Sequence, residues 1–179
     1  MRIISGKYKG RNIEGYNIIG TRPTMDRVKE SLIGMIQSKI KDSMCLDLFA
    51  GSGSVGLELL SNGAKECYFV DNNKKVIDTI KLNISKMNIS ERHNLILNDF
   101  HSALKKFKEQ NTKFDIIFLD PPYQNNYIKE SLKLILEYNL INKDGIIICE
   151  YETEKFECNL EIFKEKKYGS KKIIIYKNS

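Results

Sequence analysis

From residue 44 onward the chain alternates short, almost wholly apolar runs with longer stretches that are apolar on one face only, and few folds accept that pattern. The runs are 44–48, 67–70, 95–97, 114–119 and 146–149. Between them lie 53–61, 73–87, 102–109 and a segment marked by Ile128, Leu132, Ile135 and Leu136. In 73–87, Val76, Ile77, Ile80, Ile84 and Met87 share one face of a 3.6-residue helix. A strand apolar on both faces has to be covered on both faces. The pattern therefore predicts an α/β fold: a doubly wound, Rossmann-like parallel sheet with right-handed crossovers. After Cys149 the pattern changes. The acidic stretch from Glu150 to Glu157 reads as a solvated connection. Residues 160–163 and 173–176, joined through Tyr168-Gly169, read as an antiparallel hairpin closing the sheet edge.

The first 41 residues carry a different signal. They hold nine Lys/Arg against three Asp/Glu, while the remaining residues balance at twenty of each, so the whole net charge of +6 lies in the first quarter. Such asymmetry suggests a surface that meets polyphosphate; its plain alternative is a solvated face. Two units are expected: a basic extension over 1–41 and a catalytic domain over 42–179. Within the extension, Arg2–Ile13 resembles a short hairpin, and an amphipathic helix follows Thr24 as N-cap, with Val28, Leu32, Ile36 and Ile40 on one face. No apolar run approaches the roughly 20 residues of a membrane span, and the start lacks a signal-peptide core. The expected setting is cytoplasmic, without membrane contact, and the expected state is a monomer. Three of the four cysteines lie in strand-like runs and read as reduced core residues. His93 and His101 have no acidic or Cys partners at ligand spacing, so no metal is expected.

The first strand runs into Asp47-Leu48-Phe49-Ala50-Gly51-Ser52-Gly53, and Gly51, Gly53 and Gly56 form G-x-G-x-x-G ahead of a helix. Glycine there permits a tight turn, close backbone approach to a ligand and close helix–strand packing, and it fits dinucleotides as well as other adenosine cofactors. Asp71, followed by Asn72, ends the second strand twenty residues after Gly51, where a carboxylate can take both ribose hydroxyls; capping the next helix is the alternative. Asp99 and Phe100 follow the third strand, where they suit an adenine amino group and ring, or else a helix cap and a core aromatic. All these loops emerge at the carboxyl edge, where open α/β sheets bind ligands.

The fourth strand runs straight into Asp120-Pro121-Pro122-Tyr123. Two prolines fix an extended turn and remove two amide donors. What remains is acceptor-rich, beside the flat ring of Tyr123. That combination suits a planar base with an exocyclic NH2, whose lone pair is conjugated into the ring. Hydrogen bonds to Asp120 and the Pro121 carbonyl favour a pyramidal nitrogen aimed at an electrophilic methyl such as a sulfonium carries. Orientation and charge then supply most of the rate, with no metal. A helical base would have to flip out, at a few kcal/mol, against about 1–3 kcal/mol returned by stacking.

On these residues the chain resembles the class I amino-methyltransferases of nucleic acids. Its opening, Arg2-Ile3-Ile4-Ser5-Gly6-Lys7-Tyr8-Lys9-Gly10-Arg11, together with Thr21-Arg22-Pro23-Thr24-Met25-Asp26-Arg27-Val28-Lys29-Glu30, resembles the RsmD family, over essentially the full length. That family methylates guanine N2 in bacterial 16S rRNA, at the position written guanine(966). The resemblance implies strand order 3-2-1-4-5-7-6 with the last strand antiparallel. It implies S-adenosyl-L-methionine as cofactor and 16S rRNA or the small ribosomal subunit as partner. It places Asp47, Phe49 to Gly53, Asp71 and Asn72 on the cofactor, Asp99 and Phe100 at its adenine, and Asp120 to Tyr123 on the base. Lys7, Lys9, Arg11, Arg22, Thr24 and Arg27 are the candidate RNA contacts. Met25 and Lys29 stand where the family often has Thr and Arg, and Asp71 where it often has Glu. An adenine-N6 DNA methyltransferase, or an RNA- or nucleotide-binding module without catalysis, are the alternatives.

Overall fold

In the computed structural model of the chain, residues 1–15, 23–122, 126–153 and 156–179 are described, the side chains of 23–25 excepted. Twelve elements follow in order: α1 (Pro23–Ile40), β1 (Met44–Asp47), α2 (Ser54–Ser61), β2 (Glu66–Asp71), α3 (Lys74–Lys86), β3 (Arg92–Leu97), α4 (Phe100–Glu109), β4 (Phe114–Leu119), α5 (Tyr127–Glu137), β5 (Ile141–Tyr151), β6 (Glu161–Tyr168) and β7 (Lys171–Lys177). They build one seven-stranded sheet of order β3-β2-β1-β4-β5-β7-β6. β1 to β5 are parallel where they pair, and β7 runs antiparallel to both β5 and β6.

Alternation along the strands splits the core in two. Cys45, Cys67, Phe69, Ile116, Phe118, Ile146, Ile148, Ile173 and Ile175 face α1, α2 and α3. Leu46, Leu48, Val70, Ile117, Leu119, Ile147, Cys149, Ile174 and Tyr176 face α4 and α5. This two-sided burial is why the inner strands read as continuous apolar runs. Cys45, Cys67, Cys149 and Cys158 are all free thiols. Among the described residues, no helix is long and apolar enough to cross a membrane.

The closing hairpin is antiparallel, and its second strand inserts between β5 and β6 in the expected order, which leaves β6 as the edge. Two expectations need correction. β6 is twice the expected length. Its lysines were invisible as strand because an edge strand pairs through its backbone while nearly all its side chains stay exposed. The acidic stretch is not wholly a solvated connection either, since Glu150 and Tyr151 belong to β5 and Glu150 is only 8% exposed.

The N-terminal segment closes as a short antiparallel hairpin, with Arg2 bridged to Asn12 and backbone hydrogen bonds from Ile3 N to Arg11 O, Gly10 N to Ile3 O and Ile13 N to Met1 O. Its middle docks on the end of α2. Lys7 N donates to the Ser61 carbonyl at 2.8 Å, and Tyr8 N to Ser61 Oγ at 3.0 Å. Gly6 has φ 79°, and a Cβ there would lie 2.0 Å from the Ser61 carbonyl oxygen, so only glycine permits this approach. Ile3, Tyr8 and Ile13 are buried in the same cluster as α1 and α2. The α1 helix begins at Pro23, one residue before its expected cap, with proline where its missing N–H costs nothing.

Candidate active site at the carboxyl edge

Because β1 to β5 are parallel, the loops after them emerge together. The register pairs Asp47 of β1 with Phe118 of β4, and Leu48 N donates to the Phe118 carbonyl at 3.1 Å. Two residues further along each strand lie Phe49 and Asp120. The glycine turn and the Asp120-Pro121 segment therefore leave the sheet from the ends of adjacent strands.

The turn itself is held by carboxylates. Gly51 and Gly53 have φ of 51° and 72°, as a reversal of this tightness requires. Asp71 Oδ2 accepts from Gly51 N at 3.1 Å, and its Oδ1 accepts from Asn73 N at 2.9 Å. Asp47, 2% exposed, accepts from Gly56 N at 3.2 Å. Gly56 lies flat on Phe69, where a Cβ would meet ring carbon Cε1 at 2.2 Å. Burial pushes the Asp47 carboxyl up to about 7, opposed by the Gly56 amide and aided by the Asp71 charge.

Asp71 thus braces the glycine turn and is not the cap of α3. Asn73 is that cap, its side chain accepting from Lys75 N at 3.0 Å. Asp71 still has lone pairs for a ligand beyond its two amides. Asn72 is exposed beside it. Asp99 is exposed and caps α4, accepting from Ser102 N at 3.0 Å; that amide holds its carboxyl below the usual range. Phe100 is buried against Phe49, with ring centroids 5.3 Å apart. Tyr127, at the start of α5, stacks parallel on Phe49 at 6.2 Å and lies 5.1 Å from Phe100. This aromatic trio closes one side of the edge. Tyr127 escaped the sequence reading because it stands alone in its segment, with no motif around it.

Asp120 is half-buried, Pro121 buried and Pro122 exposed, while Tyr123 lies outside the described residues. Burial first, then the Glu150 charge, push the Asp120 carboxyl up to about 8; Lys171 opposes them and Asp47 and Glu152 add to them. Glu150 is ion-paired with Lys171, the first residue of β7. Neither was foreseen. A glutamate inside an apolar run such as 146–150 signals a buried partner, but nothing local says which. Beyond Glu150 a groove of about 670 Å³ opens between α5 and β7, lined by Lys129, Tyr151, Phe156, Lys172 and Tyr176 among others. Among the described residues no group of His, Cys, Asp and Glu is arranged to hold a metal ion.

The basic segment is distributed unevenly. Lys7 Nζ binds Glu91 Oε1 at 2.8 Å and Ser90 Oγ at 3.1 Å. Arg11 donates to the Met87 carbonyl and lies over the Tyr8 ring. Lys9 and Arg27 are exposed. Arg22 lies outside the described residues, as does the side chain of Thr24. Lys29 is 6% exposed; its Nζ lies 3.2 Å from Glu58 Oε1 and donates to the Arg2 carbonyl at 2.7 Å and Ser54 Oγ at 3.0 Å. Glu58, fully buried, also accepts from Ile4 N. Burial lowers the Lys29 pKa, and the Glu58 charge opposes that shift.

The family profile described as "Conserved hypothetical protein 95" matches residues 1–177. YlbH of Bacillus subtilis is 39% identical over 181 residues, covering 99% of this chain and 98% of that protein. The Haemophilus influenzae protein named "Ribosomal RNA small subunit methyltransferase D" is 35% identical over 181 residues, covering 99% of this chain and 94% of its own length. The solved structure of yhhF from Escherichia coli matches with a TM-score of 0.87 at 27% identity, covering 100% of this chain and 98% of that one.

Proposed function

The chain belongs to the RsmD family of small-subunit ribosomal RNA methyltransferases, and from that premise we propose that it transfers the methyl of S-adenosylmethionine to the exocyclic N2 of a guanine in 16S rRNA. The observation that carries the reading is the register of β1 on β4, which sets Asp120 beside the glycine turn.

The residues at the turn fit this cofactor better than a dinucleotide. A pyrophosphate needs free amides at the helix N-terminus. Here the Gly56 amide is taken by Asp47 and the Gly51 amide by Asp71. Asp47, Asp71, Asp120 and Glu150 crowd this edge; the raised carboxyls of Asp47 and Asp120 disfavour an anionic ligand and are drawn toward ionisation by a cationic one. Phe49 to Gly53 would hold the amino-acid end and sulfonium, Asp71 and Asn72 the ribose, and Asp99 and Phe100 the adenine. Bound there, S-adenosylmethionine supplies a methyl on a positively charged sulfur.

The chain's own part is orientation and proton handling. The Asp120 carboxylate and the Pro121 carbonyl accept the two amino hydrogens of the base and turn the nitrogen lone pair toward the methyl. As the N–C bond forms, the nitrogen becomes acidic and Asp120 is placed to take its proton. Pro121 and Pro122 offer no competing amide. Tyr123 supplies the stacking plate. Lys9 and Arg27 are the exposed cations offered to RNA phosphate, with Arg22 and Thr24 beside them in sequence. A monomer accords with the sheet edges, since β3 carries Arg92 and His93 and β6 carries Lys164, Lys166 and Lys167.

Mass analysis of nucleosides from 16S rRNA, incubated with cofactor and with or without the protein, tests the reading. N2-methylguanosine is expected only when the protein is present. Methyl on adenine, or no gain, overturns it.

A further inference from the structure

Asp120 ends a strand whose last residue, Leu119, pairs in register with Cys149 of β5. The next residue on β5 is Glu150, so two carboxylates follow adjacent strands side by side. Glu150 is buried. Asp47 approaches from β1, and Glu152 continues from β5. A half-buried acid facing three others cannot ionise cheaply, because low dielectric strengthens every like-charge repulsion. Lys171 is the cation the fold brings to this place. The turn at Tyr168-Gly169 delivers it at the start of β7, the antiparallel strand, so it stands at the same edge as the ends of β4 and β5. There its Nζ donates to Glu150 Oε1.

We propose that Lys171, held by Glu150, is a positioning residue that draws Asp120 toward the ionised form that receives the base amine. The assignment rests on the proposed methyl transfer and names the device that makes its acceptor competent. In the step, the sulfur–carbon bond breaks with its electron pair staying on sulfur, the N–C bond forms from the nitrogen lone pair, and one amino proton passes to the Asp120 carboxylate. A protonated Asp120 has no room for that proton and offers one acceptor oxygen fewer. Burial of Asp120 and its three acidic neighbours push it toward that idle form; Lys171 pulls it back. Glu150 alone pushes the wrong way, and its use is to fix the amine in place.

The test is the pH dependence of single-turnover methyl transfer to 16S rRNA by the wild-type protein and by Lys171→Met, Lys171→Arg and Glu150→Gln. For the wild type the rate should rise toward a plateau as pH passes through about 8, where the Asp120 carboxyl is placed. Lys171→Met should move that rise to higher pH by about one unit, with about a tenfold loss at neutral pH, and unchanged cofactor affinity. Lys171→Arg should restore most of it. Glu150→Gln, nearly isosteric, should move the rise to lower pH, because one repelling charge is gone. A merely structural pair would lower stability in all three variants and leave the pH profile where it was, and that result overturns the assignment. Should Lys171→Met fail to fold, Lys171→Gln, which removes the charge and keeps a hydrogen-bond donor for Glu150, decides by the same upward displacement. A wild type inactive on RNA at every pH would instead sink the methyl-transfer reading itself, so the two failures are distinct.

Discussion

The basic N-terminal segment and the acidic carboxyl edge handle charge in opposite ways. In the first, cations that suggest RNA contact are largely tied down: Lys7 by Glu91, Arg11 by a helix-end carbonyl, Lys29 by Glu58. At the edge, Asp47, Asp71, Asp120 and Glu150 crowd together with Lys171 as the amine among them. Charges that satisfy one another fix a fold. Carboxyls crowded together resist ionisation, and a cationic ligand that restores their charge is favoured over an anionic one. A cluster of basic residues in a sequence is therefore weak evidence for RNA contact until each cation has been checked for a partner. Here Lys9 and Arg27 remain as exposed candidates.

The comparison breaks most visibly at Lys29. Lys29→Met leaves Glu58 buried without its cation, and loss of one member of a buried pair costs about 3–5 kcal/mol. Urea denaturation should show it, and a change under 1 kcal/mol would mean that the N-terminal segment is not anchored there. Next comes the acidic edge. The Asp47 carboxyl lies near 4 in an unfolded chain and at about 7 in the fold. Its raised value means that stability is full below pH 4, falls by up to about 1.4 kcal/mol per unit between the two values, and levels off above the second. Asp47→Asn should flatten that slope in urea titrations from pH 4.5 to 8; an unchanged slope would assign the pH dependence elsewhere. Asp71→Ala removes the partner of the Gly51 amide, and calorimetry should show cofactor affinity falling about tenfold or more. An unchanged dissociation constant would confine Asp71 to shaping the turn. The smallest effect belongs to Lys7→Ala. Its pair with Glu91 is exposed, so thermal denaturation should reveal only a slight loss of stability. A salt slope of RNA binding that drops by about 0.7–0.9 for Lys9→Ala but not for Lys7→Ala would sharpen the division between the two cations.

What could be read from sequence follows the same divide. Inner strands such as Phe114–Leu119 were legible because burial on both faces leaves little room for polar residues, Asp115 being the one in this strand. The glycine turn was legible because φ near 50–70° admits few other residues. β6 was legible only at its start, since its Lys-rich remainder is exposed and lacks any period. The roles of Asp47 and Asp71 as acceptors for turn amides were hidden, as an acidic residue after a strand reads the same whether it meets ligand or backbone. Glu58 and Glu150 are charges in apolar runs that went unread, because their partners Lys29 and Lys171 come from elements distant in sequence, and only the fold brings them together.

The account turns on one carboxylate. Transfer of labelled methyl from S-adenosylmethionine to 16S rRNA in a single turnover, run on wild type and Asp120→Ala with cofactor affinity measured in parallel, tests it most directly. The account predicts a rate loss of at least about a hundredfold with cofactor affinity unchanged. A variant that transfers methyl as fast as the wild type would contradict it.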